Sequence, residues 1–326
     1  MSQVQSTAGF QAAAQVAVRD CLAVKPGESV LVVTDAPLAE IGRVLWEASR
    51  EAGAEAVLCE IIPRREHAEE PPALVAEAMK RADVVFCPTS KSLSHTQARH
   101  QACLAGARVA TLPNIRPETF LRALAADYAA ISRRSRRVAE ILTQRQTVHL
   151  TTPAGTDLVF SLAGREAHPD TGLCHAPGSF SNLPAGEAFI APVEGTANGV
   201  VVVDGTMFEM RLDREPLRLV FKDGVAVEIE GGEAAEELRA LVDRLGPAAA
   251  TLAELGVGTN ERAQLCGSPL EDEKVLGTVH LAVGDNSTFG GRNRVASHQD
   301  GILLKPTLVV DGLTVLENGR LLVEEE

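Results

Sequence analysis

A chain of 326 residues is long for one hydrophobic core and is expected to form two domains. Its 45% apolar and 23% charged residues are ordinary for a globular protein, and a formal charge of −13 argues against a nucleic-acid partner, because binding phosphate needs a basic surface. No apolar run approaches the roughly 20 residues that span a bilayer, and Met1 to Phe10 lacks the basic start and apolar core of a signal peptide, so a cytoplasmic protein with no membrane partner is expected.

In chain order, a helical stretch over 10–22 precedes Pro26-Gly27, and an apolar strand over 29–33 leads into a helix over about 38–52. Further strands are predicted over 56–61, 82–87 and 108–112, separated by helices ending near Lys80 and running 97–104. Short apolar strands alternating with amphipathic helices predict a parallel sheet with crossover helices. A long helix over 127–146 closes this part; its Arg133, Arg134, Arg136 and Arg137 read as a solvated face. After the first strand, Thr34-Asp35-Ala36-Pro37 has neither G-x-G-x-x-G nor a P-loop, so this layer, although Rossmann-like, is not expected to bind a dinucleotide. The run from Cys87 to Ser92 fits either a cleft wall or a helix cap.

From residue 147 the pattern changes. Strands over 148–152 and 157–162 flank Pro153-Ala154-Gly155-Thr156, strands over 217–221 and 225–229 flank Asp223-Gly224, and strands over 308–310 and 313–316 flank Asp311-Gly312. A strand over 200–203 ends at Asp204-Gly205, and Asn318-Gly319 joins the last strands. The main helix covers 234–245. The expected architecture is therefore an α/β domain over 1–146, with a parallel sheet, and a β-rich α+β domain over 147–326. The six cysteines are scattered without CxxC spacing, which argues against a disulfide framework or a zinc–thiolate site.

The second domain holds few polar residues in apolar or glycine-rich settings: Glu187, Glu254, His280, His298 and Asp300. On an extended strand His298 and Asp300 point to one face, which aims two ligands at one point. Each residue alone also fits an ordinary role: a turn glutamate, a hydrogen-bonded core histidine, or a carboxylate that only orients an imidazole. Together two imidazoles and three carboxylates suit one or two divalent ions, zinc, cobalt, manganese or ferrous iron. Glu194 and Asp285 are further acidic residues, read as structural.

The motifs themselves resemble a known family. Asn182-Leu183-Pro184 through Phe189, Glu254-Leu255-Gly256, Glu273-Lys274 with Gly277-Thr278-Val279-His280, and His298-Gln299-Asp300 look like the metal-binding motifs of the thermophilic metalloprotease family, aminopeptidases T and S. The resemblance covers about residues 180–305 and implies a dimeric two-domain hydrolase. Metal-activated water would attack an amide of a peptide or amino-acid derivative, with Glu187 or Glu254 as proton shuttle. That family's catalytic tyrosine falls at Ser287 here, and the one tyrosine, Tyr128, lies elsewhere. Asn286, Ser287 and Arg292 are candidate pocket residues. The chain also resembles the ring-cleaving 2,5-dihydroxypyridine dioxygenases, which share the His-x-Asp ending. That resemblance implies one ferrous ion held by two histidines and an aspartate, here a triad of His280, His298 and Asp300, although Glu254 stands where that group carries a ligand histidine. A third reading is a non-catalytic metal- or ligand-binding protein. The retained Glu187, Glu254 and His280 favour the dinuclear hydrolase.

Overall fold

The structure is a computed structural model that describes residues 3–323. The chain divides into two compact units, one of residues up to Tyr128 with Thr171–Ala185, the other of Ala129–Asp170 with the chain from Gly186 onward. This differs from a single cut between 146 and 147. The helix Tyr128–Gln144 buries Val138, Ile141 and Leu142 in the core of the second unit, which draws it out of the first.

The first unit is α/β. Its sheet runs Glu55–Ile61, Ser29–Asp35, Val84–Cys87, Arg108–Thr111, Phe180–Asn182, with every neighbour parallel. The central strands are apolar and buried along almost their whole length, as a sheet covered on both faces requires. Helix Ala39–Glu51 buries Ile41, Val44, Leu45 and Ala48, an i, i+3, i+4, i+7 stripe that packs it on the sheet. Four strands fall where the pattern places them; the fifth, Phe180–Asn182, returns from far along the chain.

The second unit is β-rich and antiparallel. One sheet of eight strands takes the order Val225–Glu230, Leu217–Lys222, Asn198–Val203, Asp157–Ser161, Thr147–Thr151, Thr307–Val310, Leu313–Glu317, Arg320–Leu321. Its hairpins turn at the Pro-Ala-Gly-Thr, Asp-Gly and Asn-Gly signals. A second sheet of five strands runs His298–Leu303, Val279–Gly284, Leu252–Gly258, Glu187–Ile190, His168–Asp170. Alternate residues of this sheet, among them Ile190, Leu255, Val257, Val279, Leu281 and Val283, join Leu150, Leu158, Phe160 and Leu219 of the larger sheet in one apolar core. Helix Glu233–Leu245 adds Ala234, Ala235 and Leu238. Among the described residues no helix is long and apolar enough to cross a membrane.

Candidate metal centre

The five-stranded sheet has two unlike faces, and the period of two decides which residue goes where. If Leu255, Val257, Val279 and Leu281 face the core, then Glu254, Gly256, His280 and Ala282 face the other way. Glu187 with Phe189, and His298 with Asp300, fall on that same outer face. Across the strands each functional residue sits opposite a small one: Glu187 opposite Gly258, His280 opposite Gly256, Glu254 and Asp300 opposite Ala282, and His298 opposite Gly284. The small residues leave room for carboxylates and imidazoles to lean together over the sheet. Gly256 is the tightest case, because a Cβ there would lie 1.9 Å from His280 Nε2.

The structure brings the five residues into one chain of contacts. His280 Nε2 is 3.3 Å from Glu187 Oε2 and 3.3 Å from Glu254 Oε1. His298 Nε2 is 3.3 Å from Glu254 Oε2 and 3.4 Å from Asp300 Oδ1. Two trios therefore have ligand atoms within 4.8 Å of one another, Glu187–Glu254–His280 and Glu254–His298–Asp300, and Glu254 belongs to both. The trio that the resemblance implied for iron, His280 with His298 and Asp300, is not one of these two, and Glu254 stands beside His298 and Asp300. Ligand atoms bound about 2.1 Å from a tetrahedral ion stand about 3.4 Å apart, so the observed spacing fits a divalent ion. The donor set of imidazole and carboxylate fits as well.

The two imidazoles are held differently. His298 Nδ1 donates to the Asp285 carbonyl oxygen at 2.7 Å, which leaves Nε2 to face the carboxylates, the usual orientation of a ligand histidine. His280 is buried, and its Nδ1 has no hydrogen-bond partner. Glu187 is buried too, and Lys274 Nζ donates to its Oε1 at 2.7 Å and to Glu273 Oε2 at 3.0 Å. Lys274 itself is only 3% exposed.

Charge follows from this packing. Burial works against ionisation of Glu254, yet hydrogen bonds from His280 and His298 outweigh it and hold the carboxyl below its ordinary range. Burial likewise opposes the charged form of His280, but the hydrogen bond it donates to Glu254 and the charges of Glu187, Glu254 and Asp300 push it up to about 9. His298 is raised well above its usual value against the same burial, mainly by Asp300. Burial lifts the Glu273 carboxyl to about 8, so it stays largely protonated at neutral pH. Both imidazoles are thus held toward their charged form by the carboxylates they face.

The remaining sequence candidates sit in the loop that follows the His280 strand. Asn286 is fully buried; its Nδ2 donates to Glu194 Oε1 at 3.0 Å and its Oδ1 accepts from Asn293 N at 2.8 Å, so its polar atoms serve the loop. Ser287 Oγ donates to Asp285 Oδ1 at 2.9 Å. Arg292 is exposed, and its backbone N donates to Glu194 Oε1 at 2.7 Å. Glu194, also paired with Arg165, thus braces the loop that carries the carbonyl orienting His298. Sequence reasoning placed Lys274 only in the histidine motif, beside Glu273, and gave its side chain no role. It also passed over the rings. Phe289 packs edge-on against His298 with centroids 5.9 Å apart, and Phe189 packs edge-on against Phe289 at 5.5 Å.

Fold and site together define a class, a two-unit protein whose antiparallel sheet presents carboxylates and imidazoles able to hold a divalent metal. Within that class the chain belongs to the NicX family, 2,5-dihydroxypyridine 5,6-dioxygenase, which it matches over residues 11–323. A curated relative, the 2,5-dihydroxypyridine 5,6-dioxygenase of Pseudomonas putida KT2440, is 26% identical over 262 residues, covering 76% of this chain and 73% of that protein. The solved structure of 2,5-dihydroxypyridine dioxygenase from the same strain has a TM-score of 0.82 at 22% identity, covering 100% of this chain and 99% of the other. Wild-type AmpT from Thermus thermophilus has a TM-score of 0.70 at 20% identity, covering 97% and 99%. At these identities the two structures establish the common fold.

The family match corrects the first functional reading. The chain is not a member of the metalloprotease family, and neither the aminopeptidase nor the amide-hydrolysing mechanism stands. The physical reason is that AmpT shares this fold. Ligand residues specify what kind of ion the sheet can hold, and one ligand set serves more than one reaction.

Proposed function

We propose that the protein is a metal-dependent dioxygenase that opens a dihydroxylated nitrogen-containing aromatic ring of the 2,5-dihydroxypyridine type with molecular oxygen. The observation that carries this reading is the family match over residues 11–323. One ferrous ion would be held by Glu254, His298 and Asp300, with Glu254 in place of the second histidine expected of the group. Bound there, iron supplies one-electron chemistry that lets dioxygen react with the electron-rich ring.

The chain's own residues do the rest. Glu254 and Asp300 match the charge of one divalent ion. The Asp285 carbonyl fixes the tautomer and aim of His298. His298 is the more open of the two imidazoles, with 30% of its side chain exposed against 1% for His280, so the side of the site it borders can admit a small molecule. Phe289 and Phe189, edge to face beside His298, form an apolar aromatic wall suited to stacking a planar ring.

Anaerobically purified protein reconstituted with Fe(II) should consume oxygen with 2,5-dihydroxypyridine or a close hydroxylated analogue, and mass spectrometry should show a product heavier by two oxygen atoms. If no such substrate draws oxygen while Zn- or Co-loaded protein releases amines from aminoacyl anilides, the reading is wrong.

A further inference from the structure

The two trios share Glu254 and the same ligand spacing, yet they are not equivalent. We propose that Lys274 is a positioning residue that fixes the metal count at one: its buried ammonium, paired with Glu187, supplies the positive charge that a second divalent ion would otherwise bring to the Glu187–Glu254–His280 trio. This inference rests on the reading of Glu254, His298 and Asp300 as the ion's ligands.

Three observations carry it. The first is charge. Three carboxylates, Glu187, Glu254 and Asp300, face the centre, and the Lys274 ammonium already lies 2.7 Å from Glu187 Oε1, on the side of the Glu187–Glu254–His280 trio. A second divalent ion in that trio would lie beside a buried ammonium, and like charges brought together out of water are costly. The second is the imidazole. A ligand histidine anchors its other ring nitrogen on an acceptor, as His298 does. His280 Nδ1 has none. Its Nε2 instead donates to Glu254 Oε1 at 3.3 Å, with Glu187 Oε2 at the same distance but not hydrogen-bonded. His280 then orients Glu254 toward the ion from behind and does not bind a metal itself.

The third is rigidity. Lys274 is not a swinging surface side chain. Its backbone N donates to the Glu271 carbonyl at 3.0 Å, and its carbonyl accepts from Asn260 N at 2.8 Å. It follows the short helix Pro269–Asp272, where Asp272 accepts hydrogen bonds from Cys266 N at 2.7 Å, Gly267 N at 2.9 Å and Thr206 Oγ1 at 2.6 Å. The ammonium is therefore held in place against Glu187 and cannot retreat to solvent when metal arrives.

The test is metal content per chain after saturation with Mn(II) or Zn(II) and desalting. The wild-type protein should hold one ion and Lys274→Ala two, with Lys274→Arg returning the count to one. Two ions in the wild type, or one in folded Lys274→Ala, would overturn the proposal. Should Lys274→Ala fail to fold, Glu187→Gln keeps the question open to decision. It should retain one Mn(II) with affinity within roughly tenfold of wild type, because Glu187 is paired with the buried Lys274 and is not a ligand; a loss of 100-fold or more contradicts that. A wild-type protein that holds one ion yet never consumes oxygen counts against the dioxygenase reading and leaves the count intact.

Discussion

The two halves of the centre use the same residue types to opposite ends. Around His298 the imidazole is anchored from behind, its inner nitrogen faces two carboxylates, and the side chain is partly open. Around His280 everything is sealed, and the carboxylate Glu187 is answered by a lysine of the same chain. A carboxylate beside an imidazole is thus no metal site by itself. What distinguishes the halves is whether the positive charge comes from the protein or has to come from outside.

The largest expected effect breaks the open half. Asp300→Asn or His298→Gln should weaken Mn(II) binding at least about 100-fold by titration calorimetry, with dioxygenase turnover lost in parallel, because each removes a ligand that no neighbour can replace. A change of less than tenfold would mean that the ion sits elsewhere.

Next in size is a change to the sheet beneath the sealed half. Gly256 pairs with Phe189 on one side and His280 on the other, so Gly256→Ala places a methyl carbon against the imidazole. The ring and its strand must shift, at a cost of about 1–3 kcal/mol, read as a lower unfolding midpoint in urea. An unchanged midpoint would show that His280 is free to move, and the contrast between the halves would weaken.

The smallest effect concerns the loop that orients His298. Glu194 is opposed by burial but held below its ordinary range by bonds from Arg292 N and Asn286 and by the charge of Arg165. A depressed carboxylate contributes stability that is present above its unfolded value, near 4.3, and is lost as pH falls through the lower folded value. Melting temperature followed from pH 7 to 3 should therefore fall more steeply for wild type than for Glu194→Gln in the acid range, and parallel curves would remove Glu194 from the loop's support.

How far the sequence discloses this molecule can be judged residue by residue. Turn chemistry is local, and Asp223-Gly224, Asp311-Gly312 and Asn318-Gly319 mark hairpins because few other pairs tolerate their backbone. Parallel strands are legible from apolar runs between helices. The strand Phe180–Asn182 is not, since three residues carry no period and its partner Arg108–Thr111 lies far back in the chain. The ligand candidates stand out as polar residues among glycine and alanine, and pairing explains why: each needs a small residue across the strand. Lys274 gives no such sign, because its value lies in being buried against Glu187, a contact only the tertiary fold creates. The reaction was misread for a related reason, since donor atoms announce ion chemistry and stay silent on what the ion is used for.

The ligand-bearing strands owe nothing to the ion for their cohesion. Their reverse face is packed into the apolar interior with the larger sheet, and the residues that would hold a cation come from two strands, separated by a third, that meet only once that interior has formed. The apoprotein should accordingly be a finished, durable vessel that is filled after folding, unlike a zinc finger, which collapses without its ion. A bound ion could then be lost or exchanged without unfolding the chain, and the occupant at any moment would be set by the surrounding supply of cations.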